Sequence, residues 1–167
     1  MKYTKTIRTV ALSAALLFVT NIHAQWQSVE MVDEMTDEVT PFVGTIEIDV
    51  KDRYRTPAKL VIMCAPDEGI KFVVHWNEYG RFDHYDKMEY RIDKNDIVKL
   101  ESQVFSSYQM TSTAAPDSMI RELIKGTTLV TRVFAKTGVR KFSLVGFTRK
   151  FKKTCKDHPD FSRLMGS

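Results

Sequence analysis

The chain has 167 residues, with 25 Lys or Arg and 21 Asp or Glu, a length that suits one domain with its own hydrophobic core. Three of the basic residues and none of the acidic ones lie in the first 24 positions, which leaves 22 basic against 21 acidic residues beyond them. This near-neutral balance excludes the strongly basic surface that nucleic-acid-binding proteins use, so no nucleic acid is expected as a partner.

The beginning of the chain has the pattern of a secretory signal peptide. A basic segment precedes an apolar stretch over residues 10–19, and Ala24 is a suitable last residue before a cleavage site. The apolar stretch has about 10 residues, whereas a membrane-spanning helix needs about 20. We therefore expect residues 1–24 to be a cleaved signal peptide, the protein to be exported to the periplasm, and the mature chain to have no stable membrane insertion.

Residues 25–50 predict a short strand, an acidic loop and a second strand. Apolar and polar residues alternate at the end of this segment, as they do in a strand with one buried face. There, Ile46, Ile48 and Val50 are expected to face the core. Glu47 is expected to face water.

Alternation continues through the middle of the chain, where two further strands are joined by a Pro/Gly turn typical of a β-hairpin. The predicted strands are 59–64, 70–76, 87–93 and 97–105, and polar loops are expected at 77–86 and 107–115. The first of these strands is apolar on both faces, which is typical of a central position in a sheet. The residues expected on the core face of the next strand are Ile70, Phe72, Val74 and Trp76.

The last third of the chain predicts two helices around a second hairpin. The first helix starts at Pro116 and stops at Gly126. The second has Phe147, Phe151 and Cys155 on one buried stripe. The predicted segments are helices at 116–125 and 146–155, strands at 127–135 and 139–144, and a flexible tail at 157–167.

The order of these elements decides the expected fold class. Strands and helices do not alternate as they do in βαβ units, so a parallel sheet is not expected. The predicted class is mainly β, either an antiparallel β-sandwich or a strongly bent sheet, with one or two short helices. Residues 25–156 are expected to form a single β-rich domain.

The chain contains two cysteines, Cys64 and Cys155. In an oxidising compartment two cysteines are usually paired, and this pair would close a loop of about 90 residues. The alternative is two buried free thiols. A catalytic thiol is disfavoured, because neither cysteine has a His-rich neighbourhood and the sequence has no C-x-x-C motif.

The order of several residues along the chain is similar to that of a known family. The matching features are Trp26, a strand ending in Cys64, the segments Phe72-Val-Val-His-Trp76 and Tyr90-Arg-Ile-Asp93, and the segment Phe142-Ser-Leu-Val-Gly-Phe147 before a helix ending at Cys155. Over residues 26–156 this pattern resembles the small periplasmic VasI-like proteins associated with type VI secretion. The resemblance implies a secreted β-rich domain with a Cys64–Cys155 disulfide and no established enzymatic activity.

Four residues are candidates for a partner-binding face: Arg91, Asp93, Trp76 and His75. Arg91 and Asp93 lie two positions apart on one side of a predicted strand, in a row of alternating charge that starts at Lys87. The row is equally explained as a cross-strand charge ladder, which contributes on the order of tenths of a kcal/mol per exposed pair. His75 is a candidate ligand or base, or alternatively an ordinary residue of a sheet face.

Asp83, His84 and Asp86 form a close group of carboxylates and imidazole, a set that binds metal ions when the side chains converge. Three ligands from one short loop rarely converge, so we expect a solvated loop, with no metal and no cofactor. The acidic run 30–38 and the basic run 149–156 are likewise expected to be solvated, with pairing between them as an alternative.

The sequence has no serine-hydrolase, phosphate-loop or calcium-loop motif. It therefore predicts an exported, non-enzymatic binding or accessory protein, and the resemblance to VasI-like proteins implies a link to type VI secretion. The expected partner is another periplasmic or secretion-system protein. One alternative is an inhibitor or immunity protein against a cell-wall-acting toxin. The other is a periplasmic hydrolase, which would need His75 or His84 to meet a carboxylate or a serine in one cleft.

Overall fold

The computed structural model describes residues 25–50, 55–77, 85–105, 110–133 and 138–166. Over these ranges the protein is mainly β, with nine antiparallel strands in one sheet and three short helices. The strands are β1 (Gln27–Val32), β2 (Val39–Ile46), β3 (Lys59–Ala65), β4 (Gly69–His75), β5 (Tyr85–Ile92), β6 (Val98–Phe105), β7 (Met110–Ala114), β8 (Thr128–Val133) and β9 (Arg140–Ser143). The helices are α1 (Asp117–Lys125), α2 (Phe147–Thr154) and α3 (Phe161–Met165). The predicted mainly β class is confirmed.

The sheet has the strand order β1-β2-β3-β4-β7-β6-β5-β8-β9, and it bends so that β9 lies near the segments on either side of the β1–β2 hairpin. The chain that follows β2 reaches the last strand, where the backbone N–H of Ile48 donates to the carbonyl oxygen of Lys141 at 2.8 Å. The indole Nε1 of Trp26, just before β1, donates to the carbonyl oxygen of Ser143 in β9 at 2.9 Å. Of the two predicted architectures, the strongly bent sheet is therefore the one observed.

One side of the sheet, the inner face, forms the hydrophobic core together with the helices. The four core-facing residues predicted around β4 are all buried: Ile70, Phe72, Val74 and Trp76. Helix α2 contributes Phe147 and Phe151, and the ring of Phe147 lies 4.7 Å from that of Trp26 between ring centroids. The opposite side of the sheet, the outer face, carries most of the charged residues of the strands.

The disulfide joins Cys64 in β3 to Cys155, the residue that follows α2. The two Cα atoms are 5.7 Å apart, a usual separation for a disulfide, and both side chains are buried. The predicted pairing is confirmed, and the alternative of two free thiols is wrong. The bridge fastens the end of helix α2 to an early strand of the sheet.

The side of the chain that faces the core at the end of β2 differs from the prediction. Ile46 is 44% exposed and Glu47 is 6% exposed, so the assignment of Ile46 to the core and Glu47 to water is wrong. The phase is set by Val43, which is fully buried, and alternation from Val43 brings Glu47 inwards. Ile48 and Val50, which the alternation assigns to the core, are half-buried.

The burial of Glu47 is compensated by cationic side chains. Both terminal nitrogens of Arg55 donate to its carboxylate at 2.8 Å, and the backbone N–H of Ala58 donates to it at 3.0 Å. The Nε atom of Arg140, a buried residue of β9, lies 3.7 Å from the same carboxylate. This arrangement meets the requirement that a buried charge be both paired and hydrogen-bonded.

Strand β7 occupies a segment predicted to be a polar loop over 107–115. It pairs with β4 on one side and with β6 on the other, so it lies in the interior of the sheet. The strand is rich in hydroxyl residues, of which Thr111 is buried and accepts a hydrogen bond from Nε1 of Trp76 at 3.0 Å. Threonine is favoured in strands, and here its hydroxyl serves a buried indole rather than solvent.

The segment 157–167, predicted to be a flexible tail, contains helix α3 within its described residues. Leu164 of this helix is buried in the core. Just before it, His158 is buried with its Nε2 atom 3.2 Å from the carbonyl oxygen of Ala65 in β3. The described part of this segment is therefore attached to the sheet and to the core.

Candidate functional site

The outer face carries a row of paired charges across β6, β5 and β8. Glu89 in β5 lies directly opposite Lys99 in β6 and Arg132 in β8. Nε and a terminal nitrogen of Arg132 both lie 2.7 Å from Oε2 of Glu89, and Nζ of Lys99 lies 3.7 Å from its Oε1. Glu89 is only 5% exposed on this outer face, so its negative charge interacts with Lys99 and Arg132 and not with a partner in solution.

Arg91, two residues further along β5, differs from its neighbours in the row. It is exposed, and its side chain makes no hydrogen bond or ion pair with any residue that the structure describes. It lines a cleft of about 220 Å³ whose rim includes the exposed aliphatic side chains of Ile97 and Val139. The lining residues are Glu89, Tyr90, Arg91, Ile97, Val130, Thr131, Arg132 and Val139. The cleft therefore offers an unpaired guanidinium between apolar walls.

The charge around the cleft is positive. Arg91, Arg132 and Lys99 supply three cations, and Glu89 supplies one carboxylate. The phenol of Tyr90 adds no charge, because burial, assisted by the carboxylate of Glu122, raises the pKa of Tyr90 to about 12. At neutral pH the cleft thus suits an anionic group and offers no phenolate for catalysis.

Asp93, another residue of the predicted partner-binding face, has a structural role. Its backbone adopts a positive φ of 53°, and its carboxylate accepts hydrogen bonds from Thr127 and Thr128 at the start of β8. The shortest joins Oγ1 of Thr127 to Oδ1 of Asp93 at 2.6 Å. This hydroxyl, with the two backbone N–H groups, lowers the pKa of the Asp93 carboxyl. Asp93 therefore connects β5 to β8.

An Asp93→Asn variant tests this role, because asparagine tolerates a positive φ and keeps one acceptor oxygen but carries no charge. The folded state lowers the pKa of Asp93, so its stabilising contribution is complete above the unfolded value of about 3.9. This contribution is lost as the pH falls through the lower pKa that Asp93 has in the folded state. We expect the wild type to be more stable than Asp93→Asn by about 1 kcal/mol at neutral pH. Urea denaturation at a series of pH values is expected to show that this difference vanishes at strongly acidic pH. A difference independent of pH would contradict the assignment.

The other two residues of the predicted face, Trp76 and His75, lie apart from the cleft. Trp76 is fully buried in the core, so its assignment to a partner-binding face is wrong. His75 is half-buried on the outer face of β4, and its Nδ1 atom has no hydrogen-bond partner among the described residues. Strands β7 and β6 lie between β4 and β5 in the sheet. Of the four predicted residues, only Arg91 belongs to the cleft.

The described residues hold no group of three or more His, Cys, Asp and Glu side chains placed to bind a metal ion. Of the loop considered for such a site, Asp83 and His84 lie outside the described residues, and Asp86 belongs to β5. The sequence did not single out His158, whose Nδ1 accepts from the N–H of Asp160 at 3.1 Å. Only its closeness to Cys155 in the chain indicated a buried position.

No family model, curated protein or solved structure matches the chain. The likeness to VasI-like proteins therefore depends on the ordered residues of the sequence alone and stays a prediction. Over the ranges that the structure describes, none of the helices has the length and apolar character needed to cross a membrane.

Proposed function

We propose that the protein is exported to the periplasm and acts there as a non-enzymatic binding protein, in an accessory role of the kind associated with type VI secretion. Support comes from the signal-peptide pattern at 1–24, from the VasI-like order of residues, and from the disulfide between Cys64 and Cys155. The observation that carries the binding role is the unpaired Arg91 at the cleft on the outer face of β5 and β8.

The chemistry of the cleft defines the partner that it fits. A guanidinium binds a carboxylate through two parallel N–H···O bonds, and it does so more readily than an ammonium because it is planar and weakly hydrated. The exposed side chains of Ile97 and Val139 would contribute binding free energy by burying apolar surface against an apolar residue next to that carboxylate. The partner is thus a periplasmic or secretion-system protein that presents an Asp or Glu beside an apolar residue.

Affinity purification after cross-linking in the periplasm tests this proposal, with the wild type compared with Arg91→Glu and with the milder Arg91→Gln. The matched control is Lys125→Glu, which inverts a charge at an exposed position of α1. We expect both Arg91 variants to reduce recovery of the partner by about tenfold or more, which corresponds to about 1.4 kcal/mol of binding free energy. The control is expected to recover it fully.

The same experiment distinguishes the alternatives. Equal recovery by Arg91→Glu and Lys125→Glu would contradict the role of the cleft, and recovery of no protein above background would contradict a binding function. A cell-wall-degrading enzyme as the main recovered partner would instead assign the protein as its inhibitor or immunity protein. Circular dichroism of each purified variant verifies that the fold is kept.

A further inference from the structure

The hairpin formed by β1 and β2 carries most of the exposed apolar side chains of the described residues. Every residue of β1 is exposed, which is unusual for a strand of a nine-stranded sheet. The large apolar side chains exposed on this hairpin are Val29, Met31, Val32, Met35, Val39 and Ile46, six of the nine found in the described part of the chain. Apolar surface gathered in one place in this way is typical of an interaction site.

Strand β1 also has an open hydrogen-bonding edge. It lies at one end of the strand order and pairs with β2, and no backbone hydrogen bond joins its other edge to a described residue. An edge of this kind presents a row of unpaired N–H and C=O groups that can pair with another chain.

A groove of about 420 Å³ runs along this edge. On one side it is lined by three consecutive residues, Ser28, Val29 and Glu30. Consecutive side chains of a strand point to opposite faces, so a groove that touches all three follows the backbone edge rather than either face. Its other side is the end of α2 and the residues after it, with Lys153, Lys156 and Asp157, and the carboxylate of Asp157 lies 3.8 Å from Nζ of Lys156. A hydrogen bond of 2.7 Å from the Thr154 hydroxyl to that of Ser28 holds α2 beside the strand.

The charge of the hairpin defines the chemistry of an occupant. Residues 25–50 contain seven Asp or Glu and no basic residue. Two of these carboxylates are used internally, since Glu47 pairs with Arg55 and Asp49 pairs with Lys141. The other five form no ion pair with any described residue: Glu30, Asp33, Glu34, Asp37 and Glu38. The turn of the hairpin is therefore strongly acidic, whereas the start of β1 faces two lysines.

We propose that the free edge of β1 accepts an extended segment of a partner protein as an additional strand of the sheet. Main-chain hydrogen bonds to β1 hold the segment, as in other cases of strand addition. Alternate apolar side chains of the segment extend the apolar surface formed by Val29 and its cross-strand neighbour Phe42. Its basic side chains meet the acidic turn, and an acidic residue at its other end meets Lys153. This surface shares no residue with the cleft at Arg91.

Fluorescence anisotropy with a labelled ten-residue peptide tests the proposal on the mature protein. The peptide alternates valine with polar residues, which are lysine towards one end and a single glutamate at the other. A second peptide has the same sequence with alternate backbone nitrogens methylated on one edge, and a third has them methylated on the other edge. We expect the unmodified peptide to bind, and one of the two methylated peptides to bind at least about tenfold more weakly, because strand addition uses one edge of the segment.

Protein variants assign the site. Val29→Lys places a charge on the apolar surface beside the free edge, and Val145→Lys makes the same change at an exposed position outside the hairpin. We expect Val29→Lys to weaken binding of the unmodified peptide by about tenfold or more, and both Val145→Lys and Arg91→Glu to leave it unchanged. Equal binding by Val29→Lys and Val145→Lys would overturn the proposal.

Two further results would also overturn it. Equal binding of all three peptides would show that the segment contacts a face of the sheet and not the edge. A concentration-dependent dimer of the protein that Val29→Lys abolishes, with no binding of the peptide, would assign the edge to a second copy of this chain.

Discussion

Replacing both Cys64 and Cys155 by alanine is expected to lower the free energy of unfolding by about 4.5 kcal/mol. The two cysteines are 91 residues apart in the chain, and in the chain-entropy model a cross-link over such a loop removes much of the freedom of the unfolded state. Both side chains are buried, so alanine leaves no unpaired polar group in the core. Urea denaturation of the mature protein, followed by circular dichroism, measures the difference.

Reduction of the wild type provides the control for this experiment. A thiol reductant is expected to bring the wild type close to the stability of the double variant and to leave the double variant unchanged. Denatured wild type without reductant is expected to show no free thiol in a colorimetric titration. Two titratable thiols, or equal urea midpoints for the two proteins, would contradict the stabilising role of the bridge.

The regular part of this fold could be predicted because each element carries its own local signal. Strands β4 and β5 have one face in the core and the other outside it, so their apolar residues alternate in the sequence. Helix α2 has Phe147 and Phe151 one turn apart on its buried side. The disulfide was predictable because the chain has two cysteines and a signal-peptide pattern, which leave a single possible pair.

Strand β7 could not be predicted, because the signal that makes it a strand lies elsewhere in the chain. Its residues are mainly polar, and the hydroxyl of the buried Thr111 accepts a hydrogen bond from Trp76, 35 positions earlier in the chain. Helix α3 has the same difficulty, since it spans only five residues, and its core-facing Phe161, Leu164 and Met165 make a stripe of little more than one turn. Contacts over long sequence separations decide both elements.

The candidate site shows a similar division. The alternating charges of β5 were visible in the sequence, and the cross-strand ladder predicted there is present in the pairs that Glu89 forms with Lys99 and Arg132. The sequence could not show which charged side chain of this row has no partner. That depends on Thr127 occupying the carboxylate of Asp93 and on Val130, an uncharged residue, lying opposite Arg91. Only the three-dimensional pairing shows that the side chain of Arg91 has no partner among the described residues.

The error in β2 leads to the second large effect. The alternation at its end was recognised, but its phase was assigned from Ile46 and Ile48, because isoleucine is more often buried than glutamate. In the structure Glu47 takes the inner position, since two arginines, Arg55 and Arg140, reach its carboxylate from other parts of the chain. The phase set by Val43 thus places a carboxylate on the inner side, and an ion cluster that no local pattern encodes compensates its burial.

A Glu47→Gln variant is expected to be less stable than the wild type by about 3 kcal/mol. Glutamine has nearly the same shape and keeps one acceptor oxygen, but it removes the negative charge that faces Arg55 and the buried Arg140. Removing one partner of a buried ion pair costs more than the loss of an exposed pair, because the desolvated cations lose the charge that they faced. Urea denaturation measures the loss.

Glu101→Gln is the matched control, because it makes the same chemical change in an exposed pair. The carboxylate of Glu101 lies 3.5 Å from Nζ of Lys87, and both side chains are mostly exposed. Exposed pairs of this kind contribute less than about 1 kcal/mol, so the control is expected to lie close to the wild type. Arg55 and Glu47 form one ion pair, so the double variant Glu47→Gln/Arg55→Gln is expected to lose less stability than the sum of the two single losses. Equal losses in Glu47→Gln and Glu101→Gln, or strict additivity in the double variant, would show that the cluster does not hold the end of β2 against β9.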